Sequence, residues 1–373
     1  MHVAYDLRYA ADHFTGVGRH AWCLFEALLD LPGPERYTVL WNPALKMTRF
    51  DLEPLRRHPR VEWVERSFGP MSPAQLWQVG AWLRGLKPDV YFSPFYFMQL
   101  GAPCPCVLTV HDVWPLRLGY GLEPWKREVY RWMLRLAARA RLVVTSSDFS
   151  RREIEDLVSI DAARLRVVRL GVPPVRKEIV PQRPRHLPDR PFAFTVGLNY
   201  PYKNLATLVE AWAVMGDDAP LDLVASGREL DRYPRLAELA RARGVRRITT
   251  LGHVTEGELE WLYQNATTLV FPTTYEGFGF PLVEAFAHGL PAIASDIPVL
   301  REIDNGATRF VPARDPLAWA QAVRDLARDD AKRLEMAALG REQIRRMTYP
   351  ETARAVLDIL REAAHGGAVE AAA

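Results

Sequence analysis

The stretch FPTTYEGFGFPLVEAFAHGLPAIASD, residues 271–296, sets two glutamates, Glu276 and Glu284, on either side of seven residues that include two glycines and a proline. The apolar run TLVFP at its start reads as a strand. Gly277, Gly279 and Pro281 forbid one helix running through both glutamates, so Glu276 belongs to a loop. Pro281 suits the first turn of a new helix, PLVEAFAHG, which puts Glu284 about one turn inside it. The backbone around Phe278, Gly279, Phe280, Leu282 and Val283 then carries the open N–H groups of a helix start, an anion site. With a carboxylate at each end, this is a three-point clamp for a ligand with a diphosphate flanked by hydroxyls, the shape of a sugar nucleotide. Two glutamates in such positions also serve as cap and surface residues elsewhere; the glycines, the proline and the position after a strand favour the site.

Short apolar runs alternate with segments of helical period along most of the chain, which argues parallel sheets with crossover helices. In the first half HVAYD, YTVLW, VEWV, DVYFS, CVLTV and LVVTS read as strands, with helices near 19–31, 72–86, 123–140 and 147–158. In the second half the strands are FAFTVG, LDLVASG, RITTLG, TLVFP, PAIAS and RFVP. The fold class is therefore α/β: two doubly wound, Rossmann-like domains facing across a cleft. The first spans 1–170. A linker over 171–191 holds six prolines, and the second domain covers 192–346. A last helix occupies 347–366, and 367–373 form a fraying tail. Ligands of open parallel sheets bind beyond the carboxyl ends of the strands, so functional residues belong in the loops that follow them.

A chain of 373 residues fits two domains, and 49% hydrophobic with 25% charged residues is ordinary globular composition. No window offers the unbroken apolar run of a membrane span and no leader is evident, so a cytoplasmic protein is expected. Cys23, Cys104 and Cys106 are too few for a disulfide framework and lack partners at zinc spacing. The formal charge is +3, yet residues 117–185 hold sixteen Lys and Arg against eight Asp and Glu. Within them EPWKREVYRWMLRLAARAR interleaves tryptophans with arginines. That helix suits peripheral contact with an anionic membrane surface at its inner face; an amphipathic core helix with a solvated basic side is the plainer reading. No nucleic-acid signature accompanies the patch.

Three further constellations follow strands. In FTVGLNYPYKNLATLVEAW, 194–212, a helix begins near Lys203 and Asn204, and the Lys203 ammonium can offset charge on a diphosphate. In TVHDVWP, His111 and Asp112 end a strand of the first domain; a lone histidine there is otherwise structural. TGVGRHA, 15–21, matches G-x-G-x-x-A through Gly16 and Gly18. The loop ahead of it is too long, and the second strand ends in LWN without an acidic residue, which counts against a nicotinamide site. A flexible glycine loop approaching phosphate or acceptor fits better. No D-x-D follows a strand, so no metal site is expected.

Taken together, EGFGFPLVE, AFAHGLPAIASD, TGVGRH, TVHDVWPLR, TSSDFSRREI, YPYKNLATLVEAW, LGHVTEGELEWLYQNATTLVFPTTYEGFGFP and RFVPARDPLAWAQAV resemble, in order, the retaining family 4 glycosyltransferases of the GT-B fold. The pattern is most similar to bacterial mannosyltransferases that build polysaccharide from GDP-mannose. The resemblance implies that Glu276 contacts the donor sugar, helped by the amides of Phe278, Gly279 and Phe280. It implies that Glu284 holds the ribose, that Lys203 meets the diphosphate, and that His111 faces the sugar near C6. Gly16 and Gly18 would let the first-domain loop approach phosphate and acceptor, and the last helix would cross back onto the first domain.

Many members carry arginines where this chain has Leu198 and Tyr202; Arg228 is a candidate replacement, with Asp112 and Asn204 in support. The expectation is a hexosyltransferase without cofactor or metal, with a nucleotide-sugar donor and a glycan or lipid-linked acceptor. A non-catalytic nucleotide-sugar-binding or assembly module and a nicotinamide-dependent oxidoreductase are the rivals.

Overall fold

The computed structural model describes residues 1–120, 122–173, 179–227 and 235–366. The chain divides into two compact units, Met1–Pro173 with Met347–Ala373, and Pro174–Arg346.

The first unit is built on seven parallel strands: β1 (His2–Asp6), β2 (Arg36–Trp41), β3 (Val61–Glu65), β4 (Val90–Ser93), β5 (Cys106–Thr109), β6 (Leu142–Thr145) and β7 (Leu165–Val167), in the order 3-2-1-4-5-6-7. Every residue of β4, β5 and β6 is buried, as their unbroken Val, Leu, Tyr, Phe and Cys runs require of strands covered on both faces. The six expected strands form. β7 was missed because it is only three residues long and carries Arg166 between its apolar positions.

The helices Thr15–Asp30 and Tyr349–His365 cover one face, sharing a core with Val3, Tyr5, Trp22, Phe25, Leu28, Val356 and Leu360. The Tyr5 hydroxyl donates to the Ala21 carbonyl at 2.8 Å. The last helix enters this unit through a backbone contact: Val172 donates to Met347 O at 2.9 Å, and a Cβ on Gly171 would lie 2.3 Å from the Tyr349 nitrogen. Residues 171–173 therefore go with the first unit and the chain from Pro174 with the second. Residues 174–178 of the expected linker and the tail 367–373 lie outside the described residues.

The second unit has six parallel strands: β8 (Phe192–Val196), β9 (Asp222–Ser226), β10 (Ile248–Gly252), β11 (Thr268–Phe271), β12 (Ala292–Ser295) and β13 (Thr308–Val311), in the order 10-9-8-11-12-13. All six were legible in the sequence. In both sheets the first strand lies between the second and the fourth, so the connections diverge there and leave a crevice at the carboxyl ends of that central pair. In the first unit this edge carries the loops after β1 and β4; in the second it carries those after β8 and β11.

The loop after β1 holds a polar network that composition does not announce. Asp6 and Arg8 are fully buried and joined by two hydrogen bonds of 2.8 and 2.6 Å. Tyr91 donates to Asp6 at 2.8 Å, and Arg8 donates to Gln75 at 3.0 Å. Among the described residues the Arg8 Nη1 has no hydrogen-bond partner. Removing one member strands the other's charge in the interior, so Arg8→Ala is expected to lower unfolding stability by about 3–5 kcal/mol. The double change Asp6→Asn with Arg8→Met should recover most of that loss, as read by urea denaturation.

Candidate active site

On the second unit, the candidate residues are assembled from loops that their own hydrogen bonds hold together. β8 ends at Val196, and beyond Gly197 the chain passes through a single 3₁₀ turn, Pro201–Lys203, before Asn204, at φ 54°, turns it into the helix Leu205–Met215. The Tyr202 carbonyl accepts from the Thr274 amide at 2.7 Å and from the Thr274 hydroxyl at 3.0 Å. Asn204 donates through Nδ2 to Pro272 O at 3.0 Å and to Ala313 O at 2.7 Å, while its Oδ1 accepts from Thr207 at 2.9 Å. Both amide hydrogens are thereby committed. Asn204 is a clip between the loops after β8, β11 and β13.

This stapling delivers Lys203 to Glu276. Their Nζ and Oε1 atoms are 2.5 Å apart, with both side chains largely shielded from water. The ammonium also lies 5.3 Å from the Tyr202 ring and 5.6 Å from the Phe271 ring, within cation–π reach. Glu276 sits on the loop, as the glycines demand. Gly279, at φ 106°, caps the helix Phe280–Ala287, and a Cβ there would come 2.6 Å from Leu300 Cδ2, so no other residue fits.

The helix start offers fewer donors than the 278–283 stretch suggests. Pro281 has no N–H, and the Leu282 amide donates to Gly279 O at 3.0 Å. The Leu282 and Val283 side chains are fully buried. The amides of Phe278, Gly279 and Phe280 stand at the mouth, where a helix has no earlier carbonyls to bond.

One turn on, Glu284 Oε2 accepts from the Tyr263 hydroxyl at 2.7 Å, a partner that sequence reading did not single out. Leu198 and Tyr202 stand on the same post-β8 segment, and Arg228 lies outside the described residues. The post-strand edge of this sheet thus carries a cation, two carboxylates and a helix start, the groups that neutralise a diphosphate and bind hydroxyls.

On the first unit, the glycine motif is corrected. The helix begins at Thr15, ahead of both glycines, so Gly16 and Gly18 lie in its first turn and form no flexible loop. The Gly18 amide donates to Phe14 O at 2.8 Å, and a Cβ there would lie 2.9 Å from the Tyr9 carbonyl. Gly18 is required by the close approach of the helix to the 9–11 turn. Gly16, second in the helix, keeps an amide at its open end.

His111 follows β5 and is oriented from the loop after β4, its Nε2 being 3.0 Å from Pro94 O. A carbonyl only accepts, so Nε2 carries the proton and Nδ1 remains an acceptor. The His111 ring meets that of His20 edge-on at 5.5 Å. Burial pushes His111 down to about 4, and it lowers His20 well below the ordinary range. His111 is thus neutral near pH 7, a hydrogen-bonding group and not a cation. Asp112 is engaged locally, accepting from the Trp114 amide at 3.3 Å, and its carbonyl accepts from Tyr130 at 3.0 Å. Among the described residues no three His, Cys, Asp or Glu side chains gather as a metal site, and no helix is long and apolar enough to cross a membrane.

Two family models match: Glycosyltransferase Family 4 over residues 14–176 and Glycosyl transferases group 1 over residues 190–329. The chain is 28% identical over 307 residues to the O-antigen chain mannosyltransferase B of Escherichia coli, covering 79% of this chain and 78% of that protein. Among solved structures, sucrose-phosphate synthase from Thermosynechococcus elongatus superposes with a TM-score of 0.75 at 18% identity, over 97% of this chain and 98% of that one. Anabaena HepE in complex with UDP-glucose gives 0.72 at 16% identity, over 97% and 100%. The expected architecture is borne out: two parallel-sheet α/β domains that match GT-B glycosyltransferase structures.

The depressed histidines fix a pH dependence. Because His111 titrates lower in the folded chain than in the unfolded one, the unfolded state binds more protons between about pH 6.5 and 4, and stability falls as pH drops through that window. Thermal midpoints of His111→Gln should decline less steeply than those of the wild type over this range and run parallel above pH 7.

Proposed function

We propose that this chain, which belongs to the family 4 glycosyltransferases of the GT-B fold, moves mannose from GDP-mannose to a glycan or lipid-linked acceptor, with retention of anomeric configuration and without a divalent cation. The donor is held by the second unit and the acceptor by the first. The observation that carries the reading is the Lys203–Glu276 pair at the mouth of the helix that begins at Phe280. Without donor, each side chain neutralises the other. An arriving diphosphate offers the ammonium a second anion, and Glu276 turns to the sugar hydroxyls while the amides of Phe278, Gly279 and Phe280 line the same mouth.

In the transfer, the bond from the sugar C1 to the β-phosphate oxygen breaks and a bond from C1 to the acceptor oxygen forms on the same face. The acceptor hydroxyl gives its proton to the departing phosphate oxygen, leaving GDP and the mannosylated acceptor. Lys203 and the helix start stabilise the charge that grows on the leaving group, the point at which binding energy lowers the barrier. Glu284 holds the ribose, and neutral His111 accepts a hydrogen bond from the donor sugar near C6. The similarity to an O-antigen mannosyltransferase supports mannose, and the binding of UDP-glucose by HepE supports a nucleotide sugar.

Leu198 and Tyr202, uncharged where many members carry arginine, favour a second reading in which the unit binds nucleotide sugar without turnover. Transfer that survives excess EDTA and drops about a hundredfold or more in Glu276→Ala would reject it. GDP should raise the thermal midpoint of the protein far more than UDP or ADP, by mass action on the folded state. A larger shift with UDP would overturn GDP-mannose as donor.

The first unit adds a contact with an anionic membrane surface. The helix Pro124–Ala137 buries Tyr130, Leu134 and Ala137, while its outer side exposes Trp125 (64%), Val129 (45%) and Trp132 (47%) beside Arg135 and Arg139. This outer face is more than a solvated basic side, since its centre is aromatic. Tryptophan and arginine together suit the interface between headgroups and acyl chains. Sedimentation with phosphatidylglycerol vesicles, little with phosphatidylcholine vesicles, and loss of both in Trp125→Ala with Trp132→Ala is the expected result; equal binding to both lipids would remove the electrostatic part of the reading.

A further inference from the structure

We propose that Tyr263 is a positioning residue that sets the plane of the Glu284 carboxylate for a ribose diol, an inference that rests on the reading of Glu284 as the ribose contact. Tyr263 belongs to the helix Glu256–Asn265, whose start is pinned by a reciprocal cap: the Glu258 amide donates to the Thr255 hydroxyl at 3.2 Å, and the Thr255 amide donates to Glu258 at 2.8 Å. Glu260 and Tyr263 lie three residues apart on this helix and so share a face. Opposite them, Glu284 and His288 lie four apart at the end of the helix Phe280–Ala287.

The two faces meet where the Tyr263 hydroxyl donates to Glu284 Oε2 at 2.7 Å. His288 Nδ1 also donates to the Glu284 carbonyl at 2.7 Å, so Glu284 is held through main chain and side chain at once. The Tyr263 ring itself cannot drift. It stacks on His288 at 5.0 Å and 13°, meets Phe194 of β8 edge-on at 5.3 Å, and is only 2% exposed.

A glutamate side chain free to rotate loses that freedom when it grips a ligand, which weakens binding. The Tyr263 bond removes part of this cost before the ligand arrives. An ionised carboxylate has about four acceptor positions, and the Tyr263 bond occupies a single one of them. The buried ring does not touch the ligand; its effect passes through Glu284.

Tyr263→Phe keeps the ring and its packing and deletes only the donor. The test compares wild type, Tyr263→Phe and Glu284→Ala by calorimetry. Its probes are whichever of GDP, UDP and ADP stabilises the wild type most, and the 2′,3′-dideoxy form of that nucleotide. Tyr263→Phe is expected to weaken the ribonucleotide about tenfold and the dideoxy form little, which compresses their ratio. The donor KM should rise while kcat at saturating donor holds, and Glu284→Ala should erase the ratio. A wild-type ratio in Tyr263→Phe with a lost ratio in Glu284→Ala overturns the role of Tyr263 and leaves the ribose contact standing. An equal loss for both nucleotides with a lower thermal midpoint makes Tyr263 purely structural. A full ratio in Glu284→Ala overturns the ribose contact and this inference with it.

Discussion

An ammonium and a carboxylate 2.5 Å apart, from residues 73 positions apart in the chain, are the contact around which the second unit's candidate site is assembled. Two shielded charges persist at such a distance only if each is held where the other can reach it. The Lys203 turn is fastened to the Glu276 loop by the Tyr202 carbonyl and to the neighbouring loops by Asn204. Beneath them, β8 and β11 pair directly, Thr268 opposite Ala193 and Leu269 opposite Phe194. The pair is thus a consequence of strand order. Had β11 inserted elsewhere in the sheet, the lysine and the glutamate would face different neighbours.

The same logic places every donor near it. Helix starts at the carboxyl ends of parallel strands aim backbone N–H groups at one edge, and a glycine with positive φ lets the chain turn tightly enough to expose them. Gly279 does this for the helix that carries Glu284. The first unit shows the contrast: its helix also starts near glycines, but Gly18 is used for packing, and the polar anchor of that edge is the buried Asp6–Arg8 pair.

Much of the candidate site was legible because its signals are local. Gly277, Gly279 and Pro281 dictate loop and helix without reference to the rest of the chain, and the apolar runs of β4, β5, β6 and β11 read as covered strands by composition. The glycine at 18 misled because glycine is compatible both with a loop and with a close helix contact, and only the carbonyl of Tyr9 decides between them. The bonds of Asn204 were hidden for a related reason, since an amide beside a lysine gives no sign of which carbonyls it will meet.

Periodicity and punctuation along the chain were enough to establish two parallel α/β sheets and the loop that bears Glu276, since these follow from dihedral preference and burial over short windows. Folding in three dimensions decided which charges pair, which amides stay available and which ring braces Glu284. Lys203 with Glu276, Tyr263 with Glu284 and His111 with Pro94 each join segments from different strands, and their meeting depends on strand order and register, which no short window encodes.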